Sequence, residues 1–474
     1  MTGKGKIAVL DVGKTNVDLW VADPAGHLLE NRSTPNKVSD GPPWRHHDLK
    51  TLGDWLGETL AAICLHHPIE LLIPVGHGAG GVLVGGDPGS EHMGAMLPMI
   101  DYEESCPEDI NTEYLGISGT FEDRGSQVMM ASTHAARQLL LMQRADPKTF
   151  AKASHYLNIA QYWGWWLTGV AASEFSAMGA QSHLWNVPRR QWSPIVDAQS
   201  WRGLMPDFRP AWSKLGNIRP ELRSRYGLPD TIGVLTGAHD SSSNYYRYIA
   251  AGLEDFTLVS TGTWVVAMSR EANTATLDHD RGTTINADMN GMPVGGALVM
   301  AGREFSAIAG PTWHGDGAKL EALARIVKQG TLALPSFSNN DGQFPGSAGR
   351  GKIIGPMPET AADRTALAVL QAALLTVNCA DVLDGGRRLI LDGTFLKEPL
   401  YAPLVAALRP DDKTELSEEK NGVVIGALCL AAQELGGQPI DLSLKPVEPA
   451  VIPGLATYAS DWRTAAEANA SKAQ

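Results

Sequence analysis

Cysteine is scarce in this chain, and none of Cys64, Cys106, Cys379 and Cys429 stands in a C-x-x-C or His-linked spacing. That scarcity argues against a disulfide framework or a Cys-based zinc site and leaves free thiols suited to a reducing compartment. No apolar run reads as long enough to span a bilayer. The basic start Met1-Thr2-Gly3-Lys4-Gly5-Lys6 leads into an apolar stretch that reaches only Asp11, too short for a signal-peptide core. A cytoplasmic protein with no membrane partner is expected. Positive charge is also short: 39 Lys and Arg against 52 Asp and Glu give a net charge of -13, which argues against nucleic acid as a partner. A G-x-G-x-x-G after the first apolar run is missing, which speaks against a dinucleotide oxidoreductase.

What is present is a globular composition, 43% hydrophobic and 19% charged, in 474 residues. That length exceeds one ordinary core, so two large domains are expected. The chain opens on Ile7-Ala8-Val9-Leu10-Asp11-Val12-Gly13-Lys14-Thr15-Asn16-Val17-Asp18-Leu19-Trp20-Val21, an apolar run, a tight polar turn and an alternating run. The pattern predicts a β-hairpin whose tip presents a carboxylate and backbone N–H groups, a setting for phosphate and a hydrated metal. Gly13-Lys14-Thr15 invites a P-loop reading, but Ala8 stands where that motif needs glycine and a strand follows where it needs a helix. A second hairpin of the same design is predicted at Thr257-Leu258-Val259-Ser260-Thr261-Gly262-Thr263-Trp264-Val265-Val266-Ala267-Met268. Two such turns about 250 residues apart point to a duplicated domain, each copy offering a small-residue loop to one nucleotide.

Between them, Leu49, Leu52, Trp55, Leu56, Leu60 and Ile63 predict a helix, and Ile69 to Gly76 a buried strand ending in the Gly-rich loop His77-Gly78-Ala79-Gly80-Gly81. Residues 126–145 and 149–168 read as helices, with Trp163, Trp165 and Trp166 assigned to core packing because a helix points them in different directions. Ile232 to Leu235 reads as a short strand ending near Gly237 and delivering Asp240 beside His239 at the start of a small polar helix. A helix N-cap and a general base are both open to that aspartate. A long helix over about 361–383 precedes a strand over 388–391 and the segment Asp392-Gly393-Thr394-Phe395-Leu396-Lys397-Glu398-Pro399-Leu400. Residues 336–355, rich in Asn, Gly, Ser and Pro, read as a surface loop.

On these motifs the chain resembles the FGGY carbohydrate kinases, in particular the branch acting on rhamnulose and fuculose. The resemblance implies an α/β fold of two ribonuclease H-like domains, of the actin, hexokinase and Hsp70 superfamily, with an inter-domain active-site cleft closing on sugar and ATP. It divides the chain into an N-terminal domain (1–248) for sugar and the catalytic base, a C-terminal domain (249–455) for ATP, and a polar tail (456–474). It implies ATP-dependent phosphorylation of a hydroxyl of a ketose, such as L-fuculose, L-rhamnulose or a related ketopentose or ketohexose. The rival is a catalytically inactive sugar- or nucleotide-binding regulator on the same fold.

The implied roles are Asp240 as base, Gly78, His239 and Asp101 on the sugar, and Asp11 on Mg²⁺ through water. Gly13, Lys14, Thr15 and Asn16, with Thr261, Gly262 and Thr263, fall to the phosphates. Gly393, Lys397 and Glu398 fall to the rest of ATP, where Thr394 and Phe395 replace two family glycines and Glu398 replaces Asn. Gly78-Ala79 replaces the Arg-Glu pair of glycerol kinases, and a Leu167-Thr168-Gly169 segment followed by Glu174 and Ser176 supports the sugar site. The partners implied are a small sugar and ATP, with a homodimer left open.

Overall fold

The opening apolar run forms strand β1 (Lys6–Val12), which turns back into β2 (Asn16–Ala22) and on into β3 (Leu28–Pro35). The chain is seen in a computed structural model that describes residues 5–310, 317–435 and 442–471. Residues 1–4, part of the basic start discussed above, lie outside them. Helix α1 (Leu49–Cys64), capped by Asp48 accepting from the Thr51 N–H, leads to β4 (Ile69–Gly76), which pairs parallel with β1. Helix α2 (Ile159–Thr168) then precedes β5 (Lys214–Asn217), β6 (Gly233–Leu235), β7 (Ala238–His239) and helix α3 (Asp240–Ala250). The sheet runs β5-β6-β4-β1-β2-β3, with β7 also paired to β4.

Near-continuous burial along β1 and β4 follows from cores on both faces of this sheet. On one face Ala8, Leu10 and Val12 pack with Leu52, Leu56, Leu60 and the α2 residues Tyr162, Trp163, Trp165 and Trp166. The three tryptophans are therefore core, as their helical spacing predicts. On the other face Ile7, Val9, Leu71, Ile73 and Val75 pack with Val424, Ile425 and Leu428 of the helix Gly422–Leu435.

The second unit repeats the pattern. Strands β8 (Phe256–Thr261), β9 (Val265–Ser269) and β10 (Pro293–Val299) form an antiparallel meander. Helices α4 (Ala301–Ala309) and α5 (Ala361–Leu383) come next. Strand β11 (Arg388–Gly393) pairs parallel with β8, and β12 (Lys413–Ser417) parallel with β11. The order β10-β9-β8-β11-β12, edged by Thr283–Ala287 and Leu444–Pro446, matches β3-β2-β1-β4-β6 strand for strand. The duplication expected from the two hairpins is thus present in the sheets.

Several expectations need correction. The first unit comprises Met1–Gly252, Ile285–Pro293 and Asn421–Asp441, so it is not closed at residue 248. The polar tail is a helix, Leu455–Ser471, that buries Tyr458, Trp462 and Ala466 within the second unit. Trp462 donates to the Ala333 carbonyl and to Gln371, both at 2.8 Å. The helix read over 126–145 is confined to Ala135–Ala145, and that over 149–168 is split by the strand His155–Asn158, which pairs with Gly81–Val84. The loop over 336–355 includes the strand Lys352–Ile354, paired with Leu332–Leu334. Helix α5 is long and apolar enough to cross a membrane, against the sequence reading, but its apolar length is buried inside its own unit.

Candidate active site

Asp11 lies near the carboxyl end of β1, opposite Asp18 on β2 and beside Val75 of β4. Its carboxyl is pushed up to about 8, first by burial and then by the Asp240 and Asp18 carboxylates. Just beyond it the hairpin tip is stitched: the Gly13 N–H donates to the Asn16 carbonyl at 3.0 Å. Asn36 fastens the tip from below, donating its side chain to the Gly13 carbonyl and its N–H to the Thr15 carbonyl, both at 2.8 Å. Thr15 and Asn16 remain exposed.

Lys14 folds over the Tyr102 ring, 5.0 Å from its centroid, and pairs with the fully buried Asp101 and with Glu103 at 3.4 Å. Arg45 binds the other Asp101 oxygen at 2.5 Å. Burial alone would raise the Asp101 carboxyl, but the Lys14 and Arg45 hydrogen bonds outweigh it and hold it below the usual range. Two residues that the resemblance gives to different ligands, Lys14 to phosphate and Asp101 to sugar, are thus joined to each other.

Strand β7 brings His239 beside Gly76, and α3 starts with Asp240. The His239 ring contacts the Asp240 carboxylate at 3.1 Å through Nε2 and Ser242 at 3.0 Å through Nδ1. Burial lowers the His239 pKa, so the ring is neutral near pH 7. Its backbone N–H donates to the Ser176 hydroxyl at 3.1 Å, and that hydroxyl donates to Glu174 at 2.6 Å. Glu174 also accepts the Ser176 and Ala177 N–H groups at 2.9 Å and caps the turn Phe175–Met178; complete burial still pushes its carboxyl up to about 7. Gly78 faces this pair so closely that a β-carbon there would sit 2.6 Å from Ala180 Cβ and 3.1 Å from the His239 ring. Asp11, Lys14, Gly78, Asp101, His239 and Asp240 therefore share one polar region of the first unit.

In the second unit Thr261, at the end of β8, pairs with Gly393 and donates to the Asp392 carbonyl at 2.7 Å. Gly393 has a φ of +96°, and a β-carbon there would fall 2.1 Å from the Thr261 carbonyl oxygen, so glycine is required. A cavity of about 480 Å³ opens beside this turn, lined among others by Gly262, Thr263, Gly302, Lys397 and Glu398. Phe395 lines it too while packing against Phe305 and Tyr401. Glu398 accepts the Ala318 N–H at 3.2 Å, and burial raises its carboxyl.

Among the described residues, no three His, Cys, Asp or Glu side chains converge to ligate a metal. Mg²⁺, a hard cation that keeps water ligands and takes few carboxylates from the protein, needs no such convergence, and Asp11, which feels the Asp240 and Asp18 charges, is the carboxylate that would hold it. Sequence reasoning missed His47, His77 and Arg45. His77 heads the Gly-rich loop, which is a usable signal; Arg45 and His47 meet Asp101 across more than fifty residues, and no local pattern announces that.

Comparison with known proteins matches residues 6–245 to the N-terminal domain of the FGGY family of carbohydrate kinases and residues 253–439 to the carbohydrate kinase FGGY C-terminal domain. An L-fuculokinase of Escherichia coli (strain K12) is 26% identical over 302 residues, covering 60% of each chain. The chain thus spans about 60% of the length of these curated relatives. A crystal structure of a carbohydrate kinase from Novosphingobium aromaticivorans, 28% identical, superposes with a TM-score of 0.87 over 98% of this chain and 99% of that one. A gluconate kinase from Lactobacillus acidophilus shares the fold at 16% identity, with a TM-score of 0.79 over 99% of both chains.

Proposed function

Since the chain belongs to the FGGY family of carbohydrate kinases, we propose that it transfers the γ-phosphoryl group of ATP to a hydroxyl of a ketose. The observation that carries this reading is the grouping of Asp240, His239 and Asp11 in one polar region, with the Gly78 backbone packed closely against the His239 ring. Asp240, at the first turn of α3, is the base that accepts the proton of the attacking hydroxyl. His239 and Gly78 bind and orient the sugar, and Asp101 holds the sugar side of the site through Lys14 and Arg45. The turn at 13–16 in the first unit binds phosphate, as do Thr261, Gly262 and Thr263 in the second, where Gly393 pairs with Thr261 and Lys397 and Glu398 line the nucleotide cavity. Asp11 would hold Mg²⁺ through water, and bound Mg²⁺ supplies neutralisation of the phosphate charge. Positioning and charge neutralisation are what phosphoryl transfer demands of a protein.

The ketose is L-fuculose, L-rhamnulose or a related ketopentose or ketohexose. The His239-Asp240 dipeptide, the uncharged Gly78-Ala79 loop and the similarity to L-fuculokinase support that choice over glycerol. The test is ATP consumption by the purified chain with Mg²⁺ against L-fuculose, L-rhamnulose, D-xylulose and glycerol. Turnover with a ketose and negligible turnover with glycerol are expected. Binding of ketose and ATP without turnover would make the chain a binding protein on this fold, and a preference for glycerol would refute the substrate class.

A further inference from the structure

Strands β6 and β7 both run parallel to β4 but not in one register, since Val234 stands opposite Leu72 and Ala238 opposite Val75. Three residues, Leu235, Thr236 and Gly237, therefore face two, Ile73 and Pro74, which makes a β-bulge. Side chains alternate between the faces of a sheet, so the added residue decides which face His239 takes and where α3 begins with Asp240. Gly237 suits the bulge: its φ is +74°, and a β-carbon there would stand 1.9 Å from the Pro74 carbonyl oxygen. The N–H groups of the bulge are bound on its far side, Thr236 donating to the Ser213 carbonyl at 2.9 Å and Gly237 to the Ala211 carbonyl at 3.0 Å. Its carbonyls can take nothing from Pro74, which has no N–H. One side chain meets both of them: Nε2 of Gln161, on α2, donates to the Thr236 carbonyl at 3.1 Å and to the Gly237 carbonyl at 3.2 Å.

Gln161 is completely buried, and its Oε1 has no hydrogen-bond partner among the described residues. An orphaned amide oxygen costs free energy, so an apolar side chain of the same size would serve the core better unless the two donated bonds are needed. Both acceptors are carbonyls, which only the NH₂ end of the amide can meet, and this fixes its orientation. We propose that Gln161 is a positioning residue for phosphoryl transfer, its two amide protons clamping the Thr236–Gly237 bulge and the bulge in turn setting where His239 and Asp240 stand; the inference rests on the assignment of Asp240 as base in the reading above. The clamp acts from a different side than Ser176, which holds β7 by the His239 N–H. Without Gln161 two consecutive buried carbonyls lose their donor, and the bulge that sets the register of the base is free to relax.

The experiment pairs steady-state kinetics with NMR on the full chain, comparing wild type, Gln161→Met and Gln161→Glu with L-fuculose, L-rhamnulose and D-xylulose as probes. Met keeps the length of the side chain and removes both donors, so kcat should fall about tenfold or more with an unchanged ATP KM, while the backbone N–H signal of His239 in ¹⁵N-histidine-labelled protein moves. A side chain that only stabilised the fold would lower the thermal midpoint and leave the kcat of the folded chain alone. Glu can donate one bond while it is protonated, and burial against two carbonyl oxygens raises its carboxyl. The kcat of Gln161→Glu relative to wild type should therefore fall as pH rises from about 6 to about 9. Wild-type kcat in folded Gln161→Met, or a His239 signal that stays in place, overturns the clamp and leaves the kinase reading standing. Where Gln161→Met does not fold, the Glu variant decides, and a ratio that ignores pH overturns the clamp. A moved His239 signal in a chain that turns over no ketose supports the clamp and removes the kinase reading instead.

Discussion

Asp11 and Asp240 are two carboxylates that the fold holds close enough to raise one of them, and each has its own test. For Asp240 the proposed role is proton acceptance, so Asp240→Asn should lower kcat by about a hundredfold or more while the nucleotide dissociation constant stays near wild type. Near-normal turnover would remove it from the mechanism. For Asp11 the burial that lifts its pKa from 3.8 to about 8 also sets a pH dependence of stability. The folded chain holds this proton more tightly than the unfolded chain, so between about pH 4 and pH 8 folding takes up protons and stability falls as pH rises. Asp11→Asn removes that penalty. At pH 8 the ligand-free variant should be more stable than wild type by about 1–2 kcal/mol, with the difference closing toward pH 4, yet its turnover should be lost. Thermal midpoints at the two pH values decide this, and equal midpoints at pH 8 would show that the carboxylate is not held under strain.

At the scale of elements, the four-residue turn Phe175–Met178 fixes the strand that carries His239. Glu174 holds the Ser176 hydroxyl, and that hydroxyl holds the His239 N–H, so Ser176→Ala leaves a buried N–H and a buried carboxylate oxygen each short of one partner. The expected outcome is a kcat about tenfold lower, with ATP affinity unchanged and with recovery in Ser176→Thr, measured by steady-state kinetics. A variant with wild-type kcat would show that α3 is placed without this anchor. The elements were legible wherever local rules decide them. The turn at Gly13 to Asn16, the α1 spacing from Leu49 to Ile63 and the α5 run were all visible, because each is set by residues within a few positions. The helix over 126–145 was over-read at its start, where distant contacts decide the path of the chain: His134 is completely buried on the Gln181 carbonyl, and Arg137 reaches back to the Met129 carbonyl. The terminal helix was missed because its alanines masked the spacing of Leu455, Tyr458 and Trp462, all of them buried. In the site, Asp11, His239 and Asp240 could be read from motifs; the pairing of Lys14 with Asp101 could not, since it exists only once strands distant in sequence are brought together.

Across the whole molecule the least legible feature is that the first unit is completed by chain that follows most of the second. The helix Gly422–Leu435 brings Val424, Ile425 and Leu428 to Ile7, Val9 and Leu71, and it lies backbone to backbone on α3. Gly426 is the contact point: a β-carbon there would stand 1.8 Å from the Ser243 carbonyl oxygen, a separation that no side-chain rotation can relieve because the obstacle is main chain. Gly422 stands against a side chain instead: a β-carbon there would fall 2.1 Å from Asn244 Oδ1. Small residues at these two positions let the helices approach closely, and Asp240 sits one turn before Ser243 on the helix that would have to move. Gly426→Ala is therefore expected to lower stability by about 1–3 kcal/mol, the range for overpacking a tight core, and to reduce turnover by shifting α3. Because Gly426 is distant in sequence from every proposed site residue of the first unit, loss of activity together with a lower thermal midpoint would tie the site to this late helix. Calorimetry and initial rates on the full-length variant make the check. A midpoint and kcat both at wild-type values would mean that the two helices part without consequence and that the first unit does not depend on its last segment.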